Sequence, residues 1–551
     1  MRWKNGEESI VRLADIKESH PVLVAKYAKL HNLENLPGLS WWVPYTLKRE
    51  KRIISLVKKV KTVKLLEKYG VMLPRNAEEA IKLDNENNNT LWQDAIKKEL
   101  ENCEVAFEFL KKGKRPNPDY KQIRCHLIFD VKADLTRKAR FVAVGHMTDP
   151  PSELTYSTVA SRDSIRILLL MASLNGLKVL SADLQNAYLN ALPREKVYFY
   201  TGPEFGNRKG CIIIVKRALY GLKTSGAAFR AKLAEDLRSM GYVSTLSDND
   251  VYLKKRTKSD GFTYYEVVIT YVDDIICIGK NPEGFMKRLE DLYKLKNGFE
   301  EPKTYLGMTL RCAESGSWFL SSESYVKNIL RELELRLKGV NMKLPIKVTS
   351  PLPSNYRAEK DTSKLLDAED VVWYQGLRWL VEIGRVDISY GVSQLSSYLV
   401  QPRKGHFKAA LNIFSYLKKT IHYSLHLDPE YPDFSRFVPV DSTRWREFSP
   451  NAIEQVPNIE ARGNGVILSA FVDADHAGDK SNRRSHTGIL IFVNKAPILW
   501  VSKKQNTVET SSYGSELVVI KMATELIEGL RFKLRSFGIP VEGSSPLFCD
   551  N

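Results

Sequence analysis

The chain has 551 residues, 43% of them hydrophobic, enough for true cores in more than one domain, which excludes an intrinsically disordered chain. Its 83 lysines and arginines against 65 acids leave a net charge of +18, a footprint that suits a polyanionic partner and equally a plain basic surface. Six scattered cysteines (Cys103, Cys125, Cys211, Cys277, Cys312, Cys549) form no CxxC pair, which excludes a disulfide scaffold and a zinc knuckle and suits a reducing interior. The start MRWKNGEES has no signal-peptide core and no run of about 18 apolar residues occurs, so an intracellular protein, cytoplasmic or nuclear, with no membrane segment is expected.

Residues 1–74 form a basic segment of uncertain fold. The aromatic patch GLSWWVPY precedes a predicted helix carrying Lys48, Arg49, Lys51, Arg52, Lys58, Lys59, Lys61 and Lys64, which suits nucleic-acid contact or a solvated face. From LWQDAIKKELENC onward the pattern is α/β: an amphipathic helix, then the strands HLIFDVKAD and KARFVAVG. A helix over SRDSIRILLLMASLNG ends at Asn175-Gly176. The apolar strand LKVLSADL, the strands KVYFY and GCIIIVKRALYGL, the helix SGAAFRAKLAEDLRSMGY, DVYLKKR and the hairpin FTYYEVVITYV/IICIGK follow. EGFMKRLEDLYKLKNGF and KTYLGMTLRC close that unit near residue 312.

Residues 313–462 read as helices joined by Pro-containing loops, with a polar linker at about 428–462. His422 and His426 in HYSLH have a zinc-like spacing, but no Cys pair accompanies them and the segment alternates like a strand, so a structural or surface role is expected. A second α/β pattern begins at GVILSAFVDADHAGD and continues through ILIFVN, PILWVSKKQ and a helix from about Glu516 to Phe537. It stops in the strand-like PLFCDN.

The hairpin TYVDDII places two adjacent carboxylates, Asp273 and Asp274, inside an apolar run. Such a pair is costly to bury unless something cationic meets it. Asp183, at the end of the strand LSADL, supplies a third acid, and together they are the ingredients of a divalent-cation site made of hard oxygen ligands. The competing readings are a turn-capping Asp183 and a solvated Asp-Asp turn.

The order of segments decides between them by resemblance. Asp183 with Tyr188 five residues on, then ALYGLKTSGAAF, then YVDD, resembles the palm of reverse transcriptases; LWQDAIKKEL, KARFVAVG and YLGM are similar to segments of the copia type of long-terminal-repeat retrotransposon polyprotein, over roughly residues 75–551. The resemblance implies an α+β right-hand polymerase: fingers and palm at 75–312, thumb and connection at 313–462, and an α/β RNase H-like domain at 463–551. It implies an RNA-directed DNA polymerase using dNTPs, an RNA or DNA template with primer, and two Mg²⁺ or Mn²⁺ ions per catalytic site. Asp183 and Asp273 would be direct metal ligands and Asp274 a supporting acid. Arg140 would brace the triphosphate, with Lys132 as a second candidate, because a guanidinium donates to phosphate in a planar fork. Tyr188 would lie under the sugar and exclude a ribose 2′-hydroxyl, and Gly221 and Lys223 would let backbone approach template and nucleotide. The family has Gln-Ala-Pro after that lysine, whereas Thr224-Ser225-Gly226 stand here.

In the last segment Asp473, Glu516 and Asp550 follow the order in which RNase H sets three metal-binding acids, which implies an RNA/DNA hybrid as a further partner. Because the family continues past this point, a C-terminally truncated and impaired RNase H-like domain is expected. So is a gene fragment, with a catalytically silent relic that only binds nucleic acid as the alternative to an active polymerase.

Overall fold

The computed structural model describes residues 13, 17, 21–36, 38–50, 67–68, 70–132, 134–148, 158–353, 355–366, 368–437, 445–451, 453–454 and 456–550. The N-terminal aromatic patch is itself helical, Trp42–Lys48, and packs through Val43 against Ala25 and Ala28 of the helix Pro21–Leu30. The basic helix expected after it falls largely at residues 51–66, outside the described residues.

The amphipathic segment after residue 90 forms the helix Leu91–Cys103, which lays Trp92 and Ile96 on an antiparallel hairpin, β1 (Cys125–Val131) and β2 (Arg137–Ala143). Alternation divides the hairpin: Leu127, Phe129, Ala139 and Phe141 face the core, while Asp130, Lys138 and Arg140 share the outer face. Beside it a four-stranded sheet runs in the order Phe107–Phe109, Ile212–Val215, Val197–Tyr200, Lys121–Gln122. Phe107, Phe141 and Phe199 meet there with ring centroids 5.5–5.8 Å apart, in tilted or edge-on contacts that aromatic quadrupoles favour.

α1 (Arg162–Leu174) starts at Ser161, whose hydroxyl caps the Ser164 N–H, and ends before Gly176 at φ +56°. Its residues from Ser164 to Ala172 are all buried, because the helix is covered on both sides: by the central sheet, and by the strand Ala496–Lys504 of the C-terminal sheet. Asp248 accepts the Ser161 N–H (2.9 Å) and the Ser164 hydroxyl (2.6 Å), tying the start of α1 to the central sheet.

The central sheet contains β3 (Lys178–Leu184), β4 (Val243–Ser244), β5 (Val251–Thr257), β6 (Thr263–Tyr271), β7 (Asp274–Gly279) and β8 (Leu295–Glu300), all antiparallel in the order β4-β5-β6-β7-β3-β8. Its strands read as continuous apolar runs because both faces are buried. Val267, Ile269, Ile276 and Val179 belong to the core around α1; Val268, Ile275, Cys277 and Leu184 pack with α2 (Ser225–Ser239) and α3 (Glu283–Leu292).

A second four-stranded antiparallel sheet, Thr304–Tyr305, Met308–Cys312, Trp318–Ser321 and Ser424–Leu427, runs across the boundary expected at residue 312. The strand Trp318–Ser321 was not visible in the helical reading of 313–462, because four residues are too few for a period to register. The strand Ser424–Leu427 agrees with the alternation of HYSLH. His426 stacks on Phe319 (4.2 Å between centroids) with Nε2 3.1 Å from the Ser317 hydroxyl, a packing role. The helices Glu323–Gly339, Val372–Glu382, Ser389–Ser396 and Lys404–Lys419 complete this part.

The C-terminal sheet consists of β9 (Leu468–Asp475), β10 (His486–Val493), β11 (Ala496–Lys504) and β12 (Leu547–Phe548) in the order β11-β10-β9-β12, with only β9 and β12 parallel. α4 (Ser512–Ser536) lies on β9. One apolar core runs from Leu168 of α1 through Leu377 and Phe414 to Val472 and Val519, so the mixed α/β units are welded together. Among the described residues no helix is long and apolar enough to cross a membrane.

Candidate active site

A two-residue turn, Val272-Asp273, joins β6 to β7, with Tyr271 paired to Asp274. Val272 sits at φ +58°, a costly place for a β-branched residue, so the turn must be held by the strands that flank it. β7 pairs in turn with β3, which sets Asp274 directly opposite Asp183, and the Leu184 N–H donates to the Asp273 carbonyl (2.8 Å). Register alone therefore gathers the three acids. A one-residue slip would turn Asp183 to the other face of the sheet.

The gathering has an electrostatic cost. Burial, and then the neighbouring Asp273 and Asp183, push the Asp274 carboxyl up to about 6, with Lys296 pulling the other way. Asp273 is also raised, by burial and by Asp183, against its own backbone hydrogen bond, Arg140 and Lys296. The Lys296 ammonium, on β8, rests against Asp183 Oδ2. Three hard oxygen donors with an uncompensated anionic excess fit Mg²⁺ or Mn²⁺. Their oxygens do not all lie within 4.8 Å of one another; among the described residues only Glu516, Cys549 and Asp550 do.

The raised carboxyl makes a prediction. With a folded value of about 6 against an ordinary 3.8, Asp274 favours folding when protonated, and that contribution is lost as pH rises between those values. In metal-free buffer Asp274→Asn should raise the melting temperature at pH 7.5 by roughly 2 °C, a gain that vanishes near pH 4. Equal melting temperatures at both pH values would exclude a strained carboxylate.

Arg140 is exposed and aimed at this cluster: its guanidinium lies 4.6 Å from the Tyr220 ring centroid, and its charge acts on Asp273, Tyr188 and Tyr220. Tyr188 is half-buried, 4.8 Å from the Tyr220 ring and 6.3 Å from Phe229. Tyr220 itself was not singled out, although it stands in the quoted ALYGLK. Its hydroxyl is pushed up to about 12, mainly by burial. Lys132 closes the β1–β2 turn through its backbone, and its charge acts on Lys138. Lys138, also missed, lies close enough to Arg140, Lys132 and Lys296 that burial and their charges lower its ammonium value. Its spacing of two from Arg140 on one strand was the available signal.

Gly221 has φ +92°, and a Cβ there would stand 2.1 Å from the Ala143 carbonyl oxygen. The close approach is thus to β2 of the same chain rather than to a template. Lys223 Nζ donates to the Thr148 carbonyl (2.8 Å). In place of Gln-Ala-Pro, the Thr224 hydroxyl donates to Glu195 (2.6 Å) and the Ser225 hydroxyl to the Leu219 carbonyl (2.6 Å), so the loop is tied down by different bonds.

In the C-terminal unit Glu516 is buried on α4, accepts the Ala474 N–H (2.9 Å) and lies 3.4 Å from the Cys549 sulfur, with Asp550 in the same group. Asp473 is not brought into it. Along β9 Val472 is buried and Asp473 exposed, on the face where Phe471 stacks on Phe548. Cys549, which precedes Asp550 in LFCD, was missed as a neighbour of Glu516.

Residues 112–347 match the family described as reverse transcriptase (RNA-dependent DNA polymerase). The chain is 27% identical over 491 residues to the retrovirus-related Pol polyprotein from transposon RE1 of Arabidopsis thaliana, covering 87% of this chain and 30% of that one. Against the corresponding polyprotein from transposon TNT 1-94 of Nicotiana tabacum it is 26% identical over 481 residues, covering 83% and 32%. The copia-type resemblance is borne out, and the chain spans about a third of the length of these relatives. A solved foamy viral protease-reverse transcriptase in complex with double-stranded DNA aligns over 99% of this chain and 77% of its own at 14% identity and a TM-score of 0.42.

Proposed function

We propose that the chain is the RNA-directed DNA polymerase of a copia-type retrotransposon, adding dNTPs to a primer 3′-hydroxyl opposite an RNA or DNA template. The observation that carries this reading is the strand register that sets Asp274 opposite Asp183 with Asp273 at the adjoining turn. On it, residues 75–312 are fingers and palm, 313–462 thumb and connection, and 463–551 an RNase H-like domain.

Asp183 and Asp273 would hold two divalent cations, with Asp274 supporting them. When bound, such ions stabilise charge on the attacking and leaving oxygens of a phosphoryl transfer. The primer hydroxyl attacks the α-phosphate and pyrophosphate leaves. Arg140, braced on Tyr220, would hold the triphosphate at the mouth of the hairpin, and Lys138 adds positive charge on the same face. Tyr188, backed by Tyr220 and Phe229, cannot retreat from the sugar, which would exclude a 2′-hydroxyl sterically. Tyr188→Val is expected to raise ribonucleotide incorporation on the order of tenfold, read as the ratio of kcat/KM for the two sugars; an unchanged ratio would assign the tyrosine to the core alone.

Template-primer affinity should come from phosphate contacts and fall steeply with salt. Primer extension on a homopolymer RNA template with magnesium is the test. Extension supports the polymerase; binding without extension would favour a silent relic. For residues 463–551 hybrid cleavage is expected to be weak, because Asp473 is exposed and outside the compact group formed by Glu516, Cys549 and Asp550. Robust cleavage that is lost on Asp473→Asn would overturn that expectation.

A further inference from the structure

A cavity of about 800 Å³ lies where the start of α1, the helices Val372–Glu382 and Ser389–Ser396, and β11 come together. It is a seam between the central sheet's helix and the C-terminal sheet, and no residue of the β1–β2 hairpin lines it. Four cations line it, Arg162, Arg166, Arg378 and Lys503, against two acids, Asp163 and Glu382. Both acids are already spoken for. Lys533 Nζ, which also lies 3.0 Å from the Ser161 hydroxyl, is 2.6 Å from Asp163, and Arg162 is 2.7 Å from Glu382.

Arg166 is only 6% exposed, yet no carboxylate pairs with it. Its terminal nitrogens donate to the carbonyls of Ile498 (2.9 Å) and Glu382, its Nε has no hydrogen-bond partner among the described residues, and its guanidinium lies 4.1 Å from the Trp500 ring centroid. Arg378 and Lys503 are exposed and make no ion pair among the described residues. A buried cation whose hydrogen bonds go only to neutral carbonyls, with Asp163 and Glu382 near it but paired elsewhere, and two exposed cations beside it that make no ion pair among the described residues, is an arrangement that an anion would complete. The volume falls in the range of small-ligand sites, roughly 300–1,000 Å³, and is too small for a duplex. The Trp500 wall, with Leu499 and Val392, offers apolar surface for a planar group.

We propose that this cavity is a second nucleotide-binding site, taking a phosphate on Arg378 and Lys503 and a base against the Trp500 wall. The occupant is a free nucleoside phosphate or the unpaired end of a polynucleotide strand, which share that chemistry. Tyr271, at the end of β6, lines the same cavity, so the occupant touches the strand that carries the Asp273-Asp274 turn. The site does not depend on the polymerase reading, since none of its cations belongs to the Arg140 face.

The test is fluorescence anisotropy in EDTA, which removes metal-dependent binding, with two probes: a labelled deoxynucleoside triphosphate and a labelled single-stranded tetranucleotide. The double variant Arg378→Glu, Lys503→Glu is expected to lose roughly tenfold or more in affinity for at least one probe. Lys111→Glu, Lys112→Glu, which makes the same change of net charge on exposed residues elsewhere, should retain affinity. Loss for the triphosphate identifies a free nucleotide as occupant; loss for the tetranucleotide alone identifies a strand end. Equal affinities in both charge-reversed variants, or no binding of either probe to the unmodified chain, would overturn the site.

Discussion

Replacing Asp273 and Asp274 together by asparagine is expected to reduce primer extension by roughly a thousandfold or more, to the limit of detection, while leaving template-primer affinity and folding intact. The magnitude follows from what the acids would hold. Stabilising the attacking and leaving oxygens with bound cations supplies several kcal/mol, and each 1.4 kcal/mol is about tenfold in rate. Folding should survive because asparagine matches aspartate in size and because the ionised pair is a burden in the free protein: burial raises both carboxyls, Asp274 to about 6. A double variant that melts no lower than the unmodified chain but fails to extend would separate chemistry from stability. Extension that survives the double change would place catalysis elsewhere and remove the basis for assigning Asp183 as their partner.

Lys296 gives the same argument a second handle. It rests on Asp183, so the cluster is partly neutralised by a lysine from β8. Magnesium should therefore raise the melting temperature of the unmodified chain and not that of the double asparagine variant, a linkage effect that needs no turnover to read.

These acids were legible because local pattern and global order agreed. An apolar strand ending in Asp183 and an apolar hairpin broken by Asp273-Asp274 are each ambiguous, and their order with Tyr188 and ALYGLK removed the ambiguity. Lys296 was not legible. It reaches Asp183 only because β3 is inserted between β7 and β8, and strand order is a tertiary property that no spacing encodes. Tyr220 and Lys138 stood inside quoted segments but needed a partner across the fold to acquire meaning. Asp473 is the opposite case. Its motif order pointed to Glu516 and Asp550, and the parallel register of Phe471 with Phe548 puts it on the face of β9 that leads to Asp550, yet it is exposed and outside the Glu516–Cys549–Asp550 group.

Gly221→Ala is expected to be the most damaging single-methyl change near the site, costing about 2–5 kcal/mol and raising KM for the dNTP. Two effects add. The residue sits at φ +92°, where an L side chain is strained by about 1–2 kcal/mol. Its Cβ would also stand 2.1 Å from the Ala143 carbonyl oxygen and 2.6 Å from Val142 Cγ1, and overpacking costs typically ~1–3 kcal/mol. The backbone cannot drift to relieve this without breaking the bond from the Ala143 N–H to the Tyr220 carbonyl (2.7 Å), which is what seats Tyr220 under Arg140. Stability and nucleotide binding should thus fail together: a melting temperature lower by about 2–4 °C, with kcat at saturating dNTP less affected than KM. Gly145 meets the same contact from the other side, since a Cβ on it would lie 2.1 Å from the Gly221 carbonyl oxygen. If the two segments are held by that one close approach, Gly145→Ala and Gly221→Ala should be strongly non-additive, because the first change already prises apart what the second would strain. Additive losses, or a Gly221→Ala protein with unchanged melting temperature and KM, would mean that the loop carrying Tyr220 is not held by β2.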